Sequence, residues 1–289
     1  MASTSRHQAT TASYFYRVQR VANSVRQPFE VIGQITVFTT QVIFYLPLTA
    51  RKYWKETLTR MIDLAWGRGS LVVDGGVISV LIILGLAMGG MTAIEVFAAL
   101  NMIGFGALSG LVGGLTNVRI MAPLLAGIAF AAQVGTRITA EIGSMRMSEE
   151  IDAVDSMGLR PIPFVVGTRV LGAMLIVIPS YMLTLLLSFY VSSTIIEIFY
   201  HQPAGTYQHY FVQFLSPIDL VYSTIKASVY CVAVIIIHSY YGYFASGGPV
   251  GVGLASGRAV RASLVAIMVL DFTMTVLLWG LKPTFVFKG

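Results

Sequence analysis

Apolar residues in this chain occur in long blocks that short polar stretches separate. Residues 75–94, 170–196 and 227–257 contain no Asp, Glu, Lys or Arg. Apolar runs longer than about 18 residues are typical of membrane-spanning helices. The pattern therefore predicts an all-α integral membrane protein with five transmembrane helices. Their predicted bounds are residues 71–100, 118–145, 162–197, 217–245 and 259–282.

The chain before these spans contains two shorter apolar segments. Residues 14–34 place apolar side chains at helical spacing beside several arginines, which predicts a helix lying in the membrane interface. Residues 35–48 are apolar over only about 14 positions, which is short for a span, so they predict an elbow or re-entrant segment. The predicted domains are residues 1–70, a cytoplasmic N-terminus with both helices, and residues 71–289, the five-span domain.

Composition supports a membrane protein and excludes an ordinary soluble domain. Apolar residues make up 56% of the chain and charged residues 11%, against about 25% charged residues in soluble domains. Of the nineteen Lys and Arg residues behind the net charge of +6, nine lie before residue 69. This distribution is typical of membrane surfaces, so no nucleic-acid partner is predicted. The single cysteine, Cys231, lies in an apolar block and allows no internal disulfide.

Loop charges predict the orientation of the spans. Residues 101–117 and 198–216 contain no Lys or Arg, whereas residues 146–169 and 246–261 contain several. Because basic loops stay in the cytoplasm, we expect a multi-pass protein of the inner (plasma) membrane with a cytoplasmic N-terminus and an extracytoplasmic C-terminus. Lys282 and Lys288 run against this trend. A sixth span near residue 40 would export four N-terminal arginines, so five spans fit the charges better.

Residues 140–161 form the most informative polar stretch. Their middle predicts a short amphipathic helix outside the membrane, with Ser148 as its N-cap and Gly158 in the left-handed closing position. The predicted apolar face consists of Met147, Ile151 and Val154, and the acidic residues projecting elsewhere are Glu149, Glu150, Asp152 and Asp155. Such a helix at a cytoplasmic turn predicts a docking surface, and the alternative is a solvated amphipathic turn.

The same stretch resembles the MlaE/YrbE permeases that serve MCE-type lipid transporters. The similar motifs are A-E-I-G-S-M-R, S-E-E-I-D-A-V, M-G-L-R-P and T-R-V-L, followed later by Y-Y-G-Y and G-G-P-V-G-V-G-L-A-S-G-R-A-V. The chain looks most like the actinobacterial YrbE branch. The resemblance implies one half of a lipid pathway, paired with a paralogous permease subunit as a heterodimer. It also implies a cytoplasmic ABC ATPase dimer, extracytoplasmic MCE proteins and import of fatty-acid-like lipids or sterols.

The resemblance further implies which residues act. The cytoplasmic coupling helix that sits in a groove of the ATPase would comprise Met147, Glu149, Glu150, Ile151, Asp152, Val154, Asp155 and Met157. The chain itself would be non-catalytic and hold no cofactor, because ATP and magnesium would bind to the partner ATPase. One departure is that Ala132 and Gln133 stand where many relatives carry Gly-Arg, and Arg137 follows one turn later.

Charges inside the spans suggest pairs, and they also define the leading alternative function. Arg137 and Glu141 are four residues apart and can pair on one helix face. Lys226 and Asp271 reach similar depths from opposite sides, so we expect them to face each other. In an ion-coupled secondary carrier, Asp271, Lys226 and Glu95 would instead relay charge. A membrane scaffold or an intramembrane enzyme is a third possibility, although no nucleophile and base stand at a recognisable spacing.

Four remaining features of the sequence lead to separate predictions. Glu95 and Phe97 near the outer end of the first span are possible lipid-path residues, with an anchored carboxylate as the alternative. Gly247, Gly248, Gly251 and Gly253 lack the Gly-Lys-Ser/Thr ending of a phosphate loop and predict a tight cytoplasmic turn. The histidines show no pairing that resembles a metal site. Small residues in the first two spans predict close helix packing that supports an oligomer.

Overall fold

A computed structural model describes residues 33–67, 76–203 and 205–280. These residues are almost entirely helical and contain no β-strand. Most of the predicted interfacial helix, the predicted domain boundary after residue 70, and Lys282 and Lys288 lie outside the described residues.

The chain divides into two compact units, residues 1–44 and residues 45–289. In the first unit, residues 33–44 are helical. In the second unit, residues 45–52 are helical, and helix α1 follows over Trp54–Trp66. The segment predicted as an elbow is therefore helical in both units, and its re-entrant path stays a prediction.

Five helices of the second unit are long and apolar enough to cross a membrane, which confirms the predicted number. They are α2 (Val77–Met102), α3 (Gly106–Met147), α5 (Ile162–Ile198), α7 (Pro217–Tyr243) and α8 (Gly248–Trp279). The shortest has 26 residues, against about 20 that a hydrocarbon core of ~30 Å requires. Two short helices lie between them, α4 (Glu150–Ser156) and α6 (Thr206–Phe214).

Two of the spans begin about ten residues earlier than their hydrophobicity predicts. Helix α3 begins at Gly106 instead of residue 118, because Gly110 lets α6 approach: a Cβ at Gly110 would lie 2.3 Å from the carbonyl oxygen of Tyr207. This contact keeps a glycine-rich stretch helical against its low propensity. Helix α8 begins at Gly248 instead of residue 259, with a proline in its first turn, where the missing N–H costs nothing.

Glycines hold α2 and α5 together at close range. A Cβ at Gly85 would lie 2.7 Å from the carbonyl oxygen of Thr184, and one at Gly89 would lie 2.3 Å from that of Ser188. The close approach lets Ser192 Oγ donate a hydrogen bond of 2.8 Å to the Gly89 carbonyl. Small residues thus act as expected for packing in lipid, but Gly85 and Gly89 serve contacts within this chain and are not evidence for an oligomer.

Candidate functional site

The turn between α3 and α5 carries the short helix α4, and a left-handed residue sets its direction. Glu149 has φ 58° and occupies the N-cap position, with no side-chain cap. The prediction that Ser148 is the N-cap is wrong. Its hydroxyl instead lies 3.1 Å from the Ser144 carbonyl and 2.8 Å from Glu150 Oε1. Gly158 does take the left-handed closing position, with φ 75°.

The apolar stripe of α4 faces the protein's own core. Ile151 is 1% exposed and Val154 is 7% exposed, so neither side chain is free for a partner. Of the residues predicted for the coupling helix, the exposed ones are Met147, Glu149, Glu150, Asp152, Asp155 and Met157. The accessible face is therefore acidic, with a methionine near each end. The predicted apolar docking stripe is corrected, because Ile151 and Val154 face the core of this chain instead of a partner.

The four carboxylates of this face are not equivalent. Asp152 Oδ1 pairs with Arg146 Nη1 at 2.6 Å, and Glu150 Oε1 lies beside the Ser148 hydroxyl. Within the described part of the chain, the Glu149 and Asp155 carboxylates have no hydrogen bond or ion pair. Glu149 and Asp155 are thus the acidic side chains best placed to meet another protein.

A second group of charges lies where α1, α3 and α5 meet. Arg137 Nε lies 3.1 Å from Glu141 Oε1, as the sequence predicts. Glu141 Oε2 also lies 3.3 Å from Nη2 of Arg169 on α5. Arg137 Nη1 donates a hydrogen bond of 3.0 Å to the Asp63 carbonyl on α1. Sequence reasoning treated Arg169 only as a loop charge and missed this contact, although the residue belongs to the T-R-V-L motif.

Lys226 and Asp271 are in contact, as their sequence positions predict. Lys226 Nζ lies 2.8 Å from Asp271 Oδ1, 2.8 Å from Thr275 Oγ1 and 2.8 Å from the Arg119 carbonyl, so its three donors have three acceptors. The early start of α8 corrects the predicted depth. Asp271 lies eight residues before the end of α8 and Lys226 nine residues after the start of α7, which places the pair toward the predicted outer side.

An adjoining group of polar residues escaped prediction. Arg119 Nη2 pairs with Asp219 Oδ1 at 3.1 Å, and the Trp279 indole N–H donates to the same oxygen at 2.5 Å. Pro123, four residues after Arg119, has no N–H for the Arg119 carbonyl, and Lys226 supplies the donor instead. A proline four residues after an arginine inside an apolar span is the signal that could have indicated this site.

The two possible lipid-path residues lie in different environments. Glu95 is exposed on α2. Phe97 is 4% exposed and belongs to a buried cluster with Ala93, Ile196 and Tyr207, where burial raises the pKa of Tyr207 to about 12. Of the two, only Glu95 therefore has a surface that a bound lipid could reach in the described chain.

The glycine-rich stretch is partly a turn and partly a helix. Gly247 and Gly248 have φ 92° and 71°, values that favour glycine. Gly251 and Gly253 instead lie inside α8, so the prediction of a turn holds only for the first two. A Cβ at Gly251 would still lie 1.9 Å from the Ser246 carbonyl oxygen, whereas one at Gly253 would meet nothing within 4 Å.

Metal-ligating residues do not cluster in the part of the chain that the structure describes. No group of three or more His, Cys, Asp or Glu residues there could hold a metal ion. His238 is buried, and its Nδ1 lies 2.8 Å from Thr139 Oγ1. This contact ties α7 to α3 and gives the histidine a structural role.

Comparison with known proteins decides the family. The family model described as Permease MlaE matches residues 68–277. The chain belongs to the MlaE permease family. It is a multi-pass transmembrane permease, since the match accompanies five helices able to span a membrane.

Relatives of this MlaE-family chain include bacterial and plastid proteins. A probable ABC transporter permease protein of Rickettsia prowazekii is 33% identical over 170 residues, 56% of this chain and 62% of that protein. Another from Synechocystis is 30% identical over 173 residues, 58% of this chain and 65% of the relative. Protein TRIGALACTOSYLDIACYLGLYCEROL 1, chloroplastic, of Arabidopsis thaliana is 27% identical over 157 residues, 54% of this chain and 45% of that protein.

The matched region spans less than two thirds of the length of these relatives. The named relatives are rickettsial, cyanobacterial and plastid proteins, so the actinobacterial YrbE branch stays a prediction. Their names place similar chains among ABC transporter permeases and give no support to an ion-coupled carrier.

Proposed function

We propose that this MlaE-family chain is the transmembrane permease subunit of an ABC-type lipid transporter of the MCE class. It forms half of a lipid pathway in the inner (plasma) membrane, with its N-terminus in the cytoplasm. Helix α4 and its flanking residues couple it to a cytoplasmic ATPase, which binds ATP and magnesium. The family match and the names of its ABC permease relatives support this proposal.

The observation that carries the proposal is the exposed acidic face of α4. Ile151 and Val154 fix the helix to the protein's core, so a load on its outer face is passed to the body of the chain. Glu149 and Asp155 are exposed and unpaired within the described residues. An ATPase groove that binds this face has basic residues opposite the carboxylates and an apolar pocket for Met157, which is 67% exposed.

Transport requires an assembly in this proposal. This chain and a paralogous permease enclose an apolar pocket, two ATPase subunits bind their coupling helices, and extracytoplasmic MCE proteins deliver lipid to the outer opening. ATP binding and hydrolysis change the separation of the coupling helices and shift the pocket between two states. By resemblance, the cargo is a fatty-acid-like lipid or a sterol that is imported.

The intramembrane charges give little support to an ion relay. Lys226 has all three donors engaged, and Asp271 accepts from both Lys226 and the Tyr230 hydroxyl, which lies 2.9 Å away. A residue in an ion relay exchanges partners and protons, whereas Lys226 and Asp271 have their charges and hydrogen bonds satisfied by fixed partners inside the protein. The ion-coupled carrier is therefore not proposed.

Co-purification of the ATPase tests the proposal. Changing Glu149→Lys and Asp155→Lys together reverses the two unpaired carboxylates without breaking the Arg146 or Ser148 contacts. We expect the ATPase to stay bound to wild type and to be lost from this variant. Glu56→Lys, an exposed charge reversal on α1, is the matched control and should retain the ATPase. Equal retention by all three proteins would overturn the proposed docking face.

The side of the membrane on which α4 lies is a second test. Cys231 is buried, so a cysteine introduced by Ser156→Cys on the exposed face provides a selective label site. An impermeant maleimide should react with it only after the inner face is opened to the reagent. Labelling from the extracytoplasmic side of intact cells would end the proposal. Mass spectrometry of lipid bound to the purified complex identifies the cargo.

A further inference from the structure

Glu141 lies at the centre of a junction of three helices, close to the turn that carries α4. It lies on α3 six residues before that helix ends at Met147, and Arg169 lies seven residues into α5. The two residues therefore face each other across the base of the turn. Both carboxylate oxygens are used: Oε1 by Arg137 and Oε2 by Arg169.

Burial makes this junction stronger than a surface ion pair. The Arg169 side chain is 4% exposed, and those of Arg137 and Glu141 are 25% and 28% exposed. Exposed pairs contribute little, whereas removing one partner of a buried pair leaves an uncompensated charge. Arg169 is held further by a hydrogen bond of 2.7 Å from Nη1 to the Val165 carbonyl. Its guanidinium is thus fixed relative to the start of α5.

The junction also includes the amphipathic helix α1. Arg137 donates to the Asp63 carbonyl in the last turn of α1, where a cation is favoured by the helix dipole. Helix α1 contacts α5 directly as well, because a Cβ at Gly172 would lie 3.2 Å from the backbone nitrogen of Met61. Glu141 is therefore linked to α1 through Arg137 and to α5 through Arg169.

We infer that Glu141 is a positioning residue that joins α1 and the turn-proximal ends of α3 and α5 into one rigid body, which moves together with α4 when the ATPase changes state. This inference rests on the proposed function. Without the junction, a load on α4 would bend the turn between α3 and α5. With it, the load displaces both spans and α1 together.

Distances between spin labels in the assembled complex test this inference. Labels are attached after Thr59→Cys and Ser156→Cys, two exposed positions on α1 and α4. In the wild-type background we expect one distance distribution that is the same without nucleotide and with a non-hydrolysable ATP analogue. In Glu141→Gln, which keeps the side-chain shape and removes the charge, the distribution should broaden or shift with nucleotide. A nucleotide-dependent distance in wild type, or an unchanged distance in Glu141→Gln, would overturn the inference.

A functional readout separates positioning from simple stability. Glu141→Gln should keep the ATPase bound but lower the lipid moved per ATP hydrolysed on the order of fivefold or more, within the usual range of coupling between sites. Arg137→Ala, which removes the link to α1 but leaves the pair of Glu141 with Arg169, gives the same readout if Glu141→Gln does not fold. Glu56→Gln on α1 is the control and should behave as wild type. Failure of wild type to bind an ATPase would contradict the proposed function, whereas binding with normal coupling in both variants would contradict only the junction.

Discussion

Lys226 and Asp271 form an ion pair across α7 and α8, with 2.8 Å between Nζ and Oδ1. The lysine side chain is fully buried and the aspartate side chain is 23% exposed. A charge in this position is costly without a partner. The pair therefore links α7 to α8 and gives each charge a partner inside the protein.

Removing one partner of the Lys226–Asp271 pair should lower the stability of the protein more than removing both. Asp271→Ala leaves the Lys226 ammonium buried and is expected to destabilise the protein by about 3–5 kcal/mol, the usual cost of an orphaned buried charge. Adding Lys226→Ala should restore part of this stability, because no buried charge then remains. Thermal unfolding of the two single variants and the double variant in detergent measures the coupling. Losses that simply add would show that the two residues act independently.

The glycines of α2 provide a matched pair of substitutions. Gly89→Ala would place a Cβ 2.3 Å from the Ser188 carbonyl oxygen, whereas at Gly90 the nearest atom is a side-chain carbon of Ile195 at 3.5 Å. We expect Gly89→Ala to destabilise the protein by about 1–3 kcal/mol through overpacking. Gly90→Ala should be tolerated, since alanine favours helix over glycine. The Tm of each purified variant measures its stability. Equal changes in Tm for the two variants would mean that α2 and α5 do not pack this closely.

The number of spans could be predicted because it depends on composition along the chain. Their bounds could not, because Gly110 and Gly248 lie in helices that tertiary contact or helix-end geometry stabilises. The pair of Lys226 with Asp271 was predictable from depth, since each charge needs a partner. The contacts of Arg169 and Trp279 could not be predicted, because their partners lie on other helices. Glu141 is 28 residues from Arg169, and Asp219 is 60 residues from Trp279.

The segment around α4 also shows what sequence can and cannot predict. Periodicity placed Ile151 and Val154 on one face of a short helix, which the structure contains. It could not decide whether that face meets the protein's own core or another protein. Burial assigns both side chains to the core and leaves the carboxylates outside. Periodicity alone therefore indicates which residues share a face but not what covers that face.

A substitution at Trp279 tests the polar group that this residue forms with Arg119 and Asp219. Trp279→Phe keeps an aromatic ring beside Arg119 but removes the indole N–H that donates to Asp219. We expect a loss of stability of about 1.5–3 kcal/mol, the contribution of one hydrogen bond to a charged group. Trp66→Phe is the control, because that side chain is 60% exposed on α1 and should unfold as wild type does. If both substitutions have the same effect, the indole of Trp279 makes no specific contribution.

The turn before α8 distinguishes glycines that the backbone requires from those that it does not. Gly247 has φ 92°, so Gly247→Ala forces a side chain into the left-handed region at a cost of roughly 1–2 kcal/mol. Gly253 lies inside α8 with open space around its Cβ position, so Gly253→Ala should leave stability unchanged or raise it slightly. Thermal unfolding of the purified chain compares the two variants directly. If Gly253→Ala were the more damaging change in the isolated chain, the helix would have to begin after residue 253, as hydrophobicity alone predicts, and the structural assignment of α8 would be wrong.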